Sequence, residues 1–177
     1  MTEPTTPRRA PGGLLRRRNV VRRIFPLSYK TLTVHRLIER LNGSGHPDAA
    51  LAVSECWKIL TGIEVKVGAQ IGEGTIFVHA QGVVVGESAV IGRDCRVYQQ
   101  VTLGGGRRDR PDMPVVGDHV TMYAGAKLTG ALHVGDHASI GANAVVTHDV
   151  PAGAIVAGVP ARIVGWHDGF GPDEPSG

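Results

Sequence analysis

From Val65 onward the chain places an aliphatic or aromatic side chain at every sixth position: 65, 71 and 77, then 85, 91, 97 and 103, then 116, 122, 128, 134, 140 and 146. A step of six fits neither the period of about 3.6 of an amphipathic helix nor the alternation of a half-buried strand. It fits a solenoid in which each hexapeptide supplies one short strand and one turn, three of them closing a triangular coil. The periodic residue then points into the prism, and strands of successive coils stack about 4.7–4.9 Å apart. Thirteen such positions make roughly four coils or slightly more.

Glycine, 25 of 177 residues, runs at about twice its usual ~7%. Eighteen of these lie between Gly62 and Gly165, and seven directly follow a periodic residue: Gly72, Gly86, Gly92, Gly104, Gly117, Gly135 and Gly141. The excess is expected to be turn chemistry of the coil. Two breaks in phase stand out. Between 77 and 85 the step is eight, so two extra residues bulge beside His79-Ala80-Gln81-Gly82. Between 103 and 116 it is thirteen, and Gly104 to Pro114 holds no central aliphatic, which predicts a protruding loop. Ordered loops on a rigid scaffold are where binding and catalysis concentrate.

Ahead of the repeat, Leu32, Leu37, Ile38 and Leu41 have helical spacing and end at Asn42-Gly43. Asp48 is placed to cap a second helix carrying Ala49, Val53, Cys56, Trp57 and Leu60 on one face, closed by Gly62. Residues 1–23 hold seven arginines against one acid, Glu3, a net +6, while the remainder is −3. The basic stretch is expected to be a disordered, solvating leader rather than a nucleic-acid contact. Arg22-Arg23 is not followed by the apolar region an export signal needs. No apolar stretch is long enough for a membrane span. Two cysteines, Cys56 and Cys95, make neither a disulfide framework nor a zinc cluster and suit a reducing cytoplasm.

The stretches G-I-E-V-K-V-G-A-Q-I-G-E-G, H-A-Q-G-V-V-V-G-E-S-A-V-I-G, Y-Q-Q-V-T-L-G-G and A-G-V-P-A-R-I-V-G, in that order across 62–165, resemble the hexapeptide-repeat acyltransferases, and among them the serine acetyltransferases. The resemblance implies a mainly β fold: a left-handed parallel β-helix of hexapeptide repeats behind a short N-terminal helical segment. The left hand is the family's, since periodicity does not determine it and parallel crossovers are otherwise right-handed. The expected division is a leader over 1–28, helices over 29–62, the β-helix over 63–165 and a tail over 166–177. The resemblance also implies a homotrimer with active sites between neighbouring prisms, acetyl-CoA as co-substrate, no permanently bound cofactor or metal, and transfer to a hydroxyl.

Acetyl transfer to an alcohol needs a base for the hydroxyl proton, and histidine suits that task. His79, alone among eight histidines, sits at a phase break within the repeat, and it matches the family's general base. His35, His46, His119, His133, His137, His148 and His167 are expected to be surface residues. The family's partner aspartate aligns with Glu64, one coil upstream, where it would orient the imidazole and stabilise its cation. Glu87 is a further positioning candidate. Direct attack needs no nucleophilic cysteine: Cys95 is expected to fill the repeat and Cys56 to pack a helix. Small residues admit the pantetheine arm to the backbone, and Gly105, Ala124 and Ala142 align with such positions. Gly104, Gly105 and Gly106 offer an amide to the thioester oxyanion. Arg107, Arg108, Arg110 and Arg162 are candidates for the coenzyme phosphates.

The acceptor side departs from the family. Its aspartate before the base, which holds the serine amino group, is Val78 here. Its arginine–histidine pair for the serine carboxylate aligns with Asp112-Met113. Glu64 and an apolar residue before the histidine look more like relatives that acetylate sugars or polysaccharides. The acceptor is therefore serine, a related hydroxy amino acid, or a sugar hydroxyl. The shortened helical region favours a trimer over the family's hexamer. A zinc hydratase on the same prism would need three convergent histidines, and His79 and His119 lack a third. A non-catalytic scaffold would have no use for the Glu64–His79 pair.

Overall fold

The computed structural model describes residues 27–79, 81–106 and 112–171. The leader, except its last two positions, and Arg107, Arg108 and Arg110 lie outside the described residues. Leu27 and Ser28 already belong to the first helix, α1 (Leu27–Gly43), which is followed by α2 (Pro47–Thr61).

Six residues leave room for one strand of two or three residues and one turn. The coils run through β1 (Glu64–Val65), β2 (Gln70–Ile71), β3 (Ile76–Val78), β4 (Val84–Val85), β5 (Val90–Ile91), β6 (Arg96–Tyr98), β7 (Thr102–Gly104), β8 (Val115–Val116), β9 (Thr121–Met122), β10 (Lys127–Thr129), β11 (His133–Val134), β12 (Ser139–Ile140), β13 (Val145–Val146), β14 (Ala154–Ala157) and β15 (Arg162–Trp166). Every third strand stacks. The first face is β1-β4-β7-β10-β13, the second β2-β5-β8-β11, and the third β3-β6-β9-β12-β14, with β15 folded back on β14. Pairing is parallel except for that last pair. Val84 pairs with Thr102, eighteen residues on, whereas Glu64 pairs with Val84, twenty on. The two-residue break therefore leaves the stacking intact and ejects chain at one corner.

The periodic residues are buried from Val65 through Val146 except at Ile71, which is partly covered. A second inward set, two residues earlier, escapes the six-residue reading because its members are small and mixed. Ala69, Thr75, Ala89, Cys95, Ala126, Ala138 and Ala144 belong to it, all 3% exposed or less. Thr75 fits because its hydroxyl donates to the Gly92 carbonyl at 2.8 Å and accepts from the Cys95 N–H at 3.2 Å.

The glycines after the periodic residue are not turn residues, contrary to expectation, since none has a left-handed φ. The left-handed corner falls three residues before the inward side chain, where Ser88, Asp94, Gln100, His119, His137 and Asn143 adopt it as Gly125 does. Gly72, Gly92, Gly117 and Gly135 answer to a different need, which is coil-to-coil approach. A Cβ on Gly72 would stand 2.4 Å from the Gly92 carbonyl carbon, and one on Gly92 2.4 Å from the Gly117 oxygen.

The helices correct three expectations. Asp48 does not cap α2: Pro47 pre-sets the first helical position, so His46 becomes the N-cap and Asp48 lies in the first turn. Gly62 closes the helix as expected, with φ 70° and its N–H on the Lys58 carbonyl. The buried face is rotated by about one residue, with Ala50 inside while Ala49, Cys56 and Leu60 are exposed. His35 is not a surface residue. It is 5% exposed, and its Nε2 donates to the Ala69 carbonyl at 2.9 Å, while Glu39 accepts the Gly68 N–H. Both bonds seat α1 on the first coil. At the other end Trp166 packs against the core, and Ser139 and His167 share a hydrogen bond of 2.9 Å. No helix among the described residues is long and apolar enough to cross a membrane.

The two thiols should differ sharply. Cys56 is exposed. Cys95 is fully buried, its thiol directed to the Gly117 carbonyl at 3.2 Å, and burial pushes its pKa up to about 11. Titration of the native protein with a thiol reagent near pH 8 should modify one cysteine, and a second only in denaturant. Because the folded pKa is raised, the stabilisation from the neutral thiol is present below the unfolded pKa and is lost as pH climbs toward about 11.

Candidate active site

Val78 ends β3 half-buried, and the chain then leaves the ladder. His79 takes a left-handed φ of 51°, a conformation uncommon for a side-chain-bearing residue. The Gln81 N–H closes the excursion on the His79 carbonyl at 2.7 Å, and the Gly82 N–H rejoins the first coil on the Gly62 carbonyl at 2.8 Å. The His79 side chain is exposed and has no hydrogen-bond or ion-pair partner among the described residues.

Glu64 opens β1 at the same edge, its N–H on the Val83 carbonyl at 2.8 Å. Its carboxylate, however, meets Lys66 Nζ at 2.5 Å. That hydrogen bond, against a smaller desolvation penalty, holds the Glu64 carboxyl below its usual range. Glu64 and His79 therefore border the same edge, with the Glu64 carboxylate engaged by Lys66 and not by the imidazole. Lys66 went unnoticed in the sequence. The signal was its spacing, because residues two apart on a strand share a face.

The edge continues upward from Gln81. Gln100 N–H bonds the Gln81 carbonyl, Gly125 N–H that of Gln99, and Asn143 N–H that of Ala124, each at 2.9 Å. Gln81, Gln99, Ala124 and Ala142 thus form one column, with small residues in its upper half. Gln99 keeps a buried side-chain oxygen with no hydrogen-bond partner. On the adjoining third face, Val78 pairs in register with Tyr98, and Tyr98 stacks on Tyr123 with centroids 5.4 Å apart.

Of the other expected residues, Glu87, Gly104, Gly105, Asp112 and Met113 border the opposite edge of the first face, whereas Arg162 pairs with Ala157 on the third. Glu87 is exposed at the corner after β4, and Gly104 ends β7 with Gly105 exposed beyond it. Asp112 is exposed. Met113 is packed against its own core and lies over Gly86, where a Cβ would meet its sulfur at 2.9 Å. Arg162 opens β15, and its guanidinium donates to the Ala161 carbonyl at 2.8 Å. Arg162 aside, a single chain therefore splits the expected site between two edges of one face. His119 lies on neither, being stacked on His137 at the corner between the second and third faces. Among the described residues no group of three histidine, cysteine or acidic side chains is placed to hold a metal ion.

No family model matches the chain. It is 45% identical over 132 residues to the serine acetyltransferase of Mycobacterium tuberculosis, covering 74% of this chain and 58% of that protein. Against the serine acetyltransferase of Helicobacter pylori strain J99 it is 42% identical over 134 residues, covering 75% of this chain and 78% of that one. A serine acetyltransferase structure in complex with CoA superposes with a TM-score of 0.76 at 38% identity, over 81% of this chain and 60% of that one. The fold is thus the left-handed parallel β-helix. Against the Mycobacterium tuberculosis protein, the chain spans a little over half the relative's length.

Proposed function

The chain belongs to the serine acetyltransferase family, and from that premise we propose that it transfers acetyl from acetyl-CoA to a hydroxyl of a small acceptor. The names of its relatives point to serine, and a related hydroxy amino acid presents the same hydroxyl. The observation that carries the reading is the two-residue excursion at His79. It holds outside the ladder an imidazole with no partner among the described residues, at the foot of an edge whose upper rungs are the small residues Ala124 and Ala142.

In the proposed reaction His79 takes the acceptor proton as the oxygen attacks the thioester carbonyl. The tetrahedral intermediate collapses, the C–S bond breaks, and the imidazolium returns its proton to the departing thiolate, giving free CoA and the acetyl ester. Glu64, kept ionised by Lys66, supplies negative charge near the imidazolium. Pantetheine lies along Ala124 and Ala142, where small side chains expose backbone. Amides of Gly104 and Gly105 face the developing oxyanion, Glu87 and Asp112 border the acceptor, and Arg162 meets a coenzyme phosphate. Because the glycine edge and the His79 edge border one face from opposite sides, a neighbouring copy completes each site, which supports a homotrimer.

Purified protein with acetyl-CoA and a panel of serine, homoserine, other hydroxy amino acids and sugars should release thiol in an acceptor-dependent manner. Release no faster than the acceptor-free rate across the whole panel would overturn the reading.

A further inference from the structure

We propose that Lys66 binds the carboxylate of the acceptor, and so selects a free amino acid over a neutral or carboxylate-free alcohol. The inference rests on the acetyl-transfer reading and adds to it the group that recognises the acceptor.

A hydroxy amino acid is a zwitterion, so beside the base it needs an anion for its ammonium and a cation for its carboxylate. The first face is rich in anions. Glu64 borders the His79 edge, and Glu87 and Asp112 border the glycine edge that a neighbouring copy brings to it. Each suits the ammonium and none suits the carboxylate. Lys127, on the same face, stands three strands above β1, about 14 Å away, and its ammonium donates to the Gln100 carbonyl.

Two lysines flank Glu64 at the level of His79. Lys66 leaves the backbone just past β1, where its N–H bonds the Val85 carbonyl at 3.0 Å. Residues two apart on a strand share a face, and the Lys66 ammonium reaches back over Val65 to Glu64 at 2.5 Å, toward the His79 edge. Lys58, near the end of α2, acts on Glu64 from farther off and is itself bonded to Glu55 at 2.5 Å. Lys66 is the more accessible, its side chain 53% exposed against 36%. An ammonium has three N–H donors and Glu64 takes one, so an acceptor carboxylate finds the others without the pair opening. Two carboxylates on one ammonium repel, and the charge of Lys58 beside Glu64 offsets that repulsion. With its carboxylate on Lys66, the acceptor turns its ammonium toward Glu87 and Asp112 and its hydroxyl toward His79.

The test uses acceptors that differ in that one charge: serine, serinamide and 2-aminoethanol, each given to the purified full chain with acetyl-CoA and followed by thiol release. Serine should exceed both others in kcat/KM by about 10- to 100-fold, the scale of a hydrogen bond to a charged group. Lys66→Met should erase that preference by raising the KM for serine, leaving the other two acceptors and the KM for acetyl-CoA unchanged. Lys66→Arg should restore part of it, and Lys58→Met should keep it. Equal losses on all three acceptors in Lys66→Met would mean that the lysine acts only through Glu64, and an undiminished preference would place the carboxylate elsewhere. Either result overturns the inference, as would a preference lost in Lys58→Met instead. A best acceptor without a carboxylate would also overturn it and leave acetyl transfer standing, whereas no acceptor-dependent release at all would sink both.

Discussion

His79→Ala should lower kcat by about 10²–10⁴-fold, the usual contribution of a positioned general base. The KM for acetyl-CoA should stay near that of the parent. The separation follows from where the residue sits. Its side chain is exposed, it hangs from a two-residue excursion outside the hydrogen-bonded ladder, and the coil beneath is complete without it. Among the described residues, removing the imidazole leaves no cavity and no orphaned partner, so the thermal midpoint should move little. His79→Gly, which suits the left-handed φ of 51°, should be at least as stable as the alanine variant and equally inactive. Full activity in either variant would take the proton-transfer role away from His79. Loss of activity together with the melting transition would mean the residue is structural.

The six-residue step exposed the inward side chains, the three-sided coil and the ejected corner at His79, because all three depend only on counting along the chain. What it missed depends on contacts between distant segments. His35 resembled any helix-surface histidine until the Ala69 carbonyl, 34 residues away, proved to be its partner. Met113 aligned with an acceptor position, but the loop that carries it folds its side chain over Gly86. Tyr98 and Tyr123 are 25 residues apart across the second break in phase, so their stack becomes visible only once β6 and β9 are in register. Glu64 was legible as a carboxylate at the right rung, while its engagement by Lys66 was not. Turn chemistry does account for Gly68, Gly74 and Gly125, which take left-handed φ, but not for the glycines after the periodic residue, since a sequence shows that a side chain is missing without showing what occupies its place.

Gly92→Ala tests that last point, with a large expected loss of stability. Nothing in the φ of Gly92 demands glycine. A methyl group there would lie 2.4 Å from both the Gly117 carbonyl oxygen and Asp118 Oδ1, and that same Asp118 oxygen accepts the Arg93 N–H at 2.7 Å. The obstacle is backbone of the next coil, held by the Gly92 N–H to Val116 carbonyl bond at 2.9 Å. Relief therefore requires prying two rungs apart rather than turning a rotamer. Overpacking costs about 1–3 kcal/mol where side chains can shift, and more where they cannot, so about 3 kcal/mol or more is expected. That corresponds to a fall in thermal midpoint of about 6–12 °C for a chain of this size. Gly68→Ala is the comparison. Gly68 has φ +91°, yet a Cβ there meets only the flexible Glu87 side chain at 3.4 Å, so the cost is the left-handed penalty of about 1–2 kcal/mol. If Gly68→Ala proved the more damaging of the two, the glycines would be serving backbone conformation after all, and coil spacing would not be what selects them.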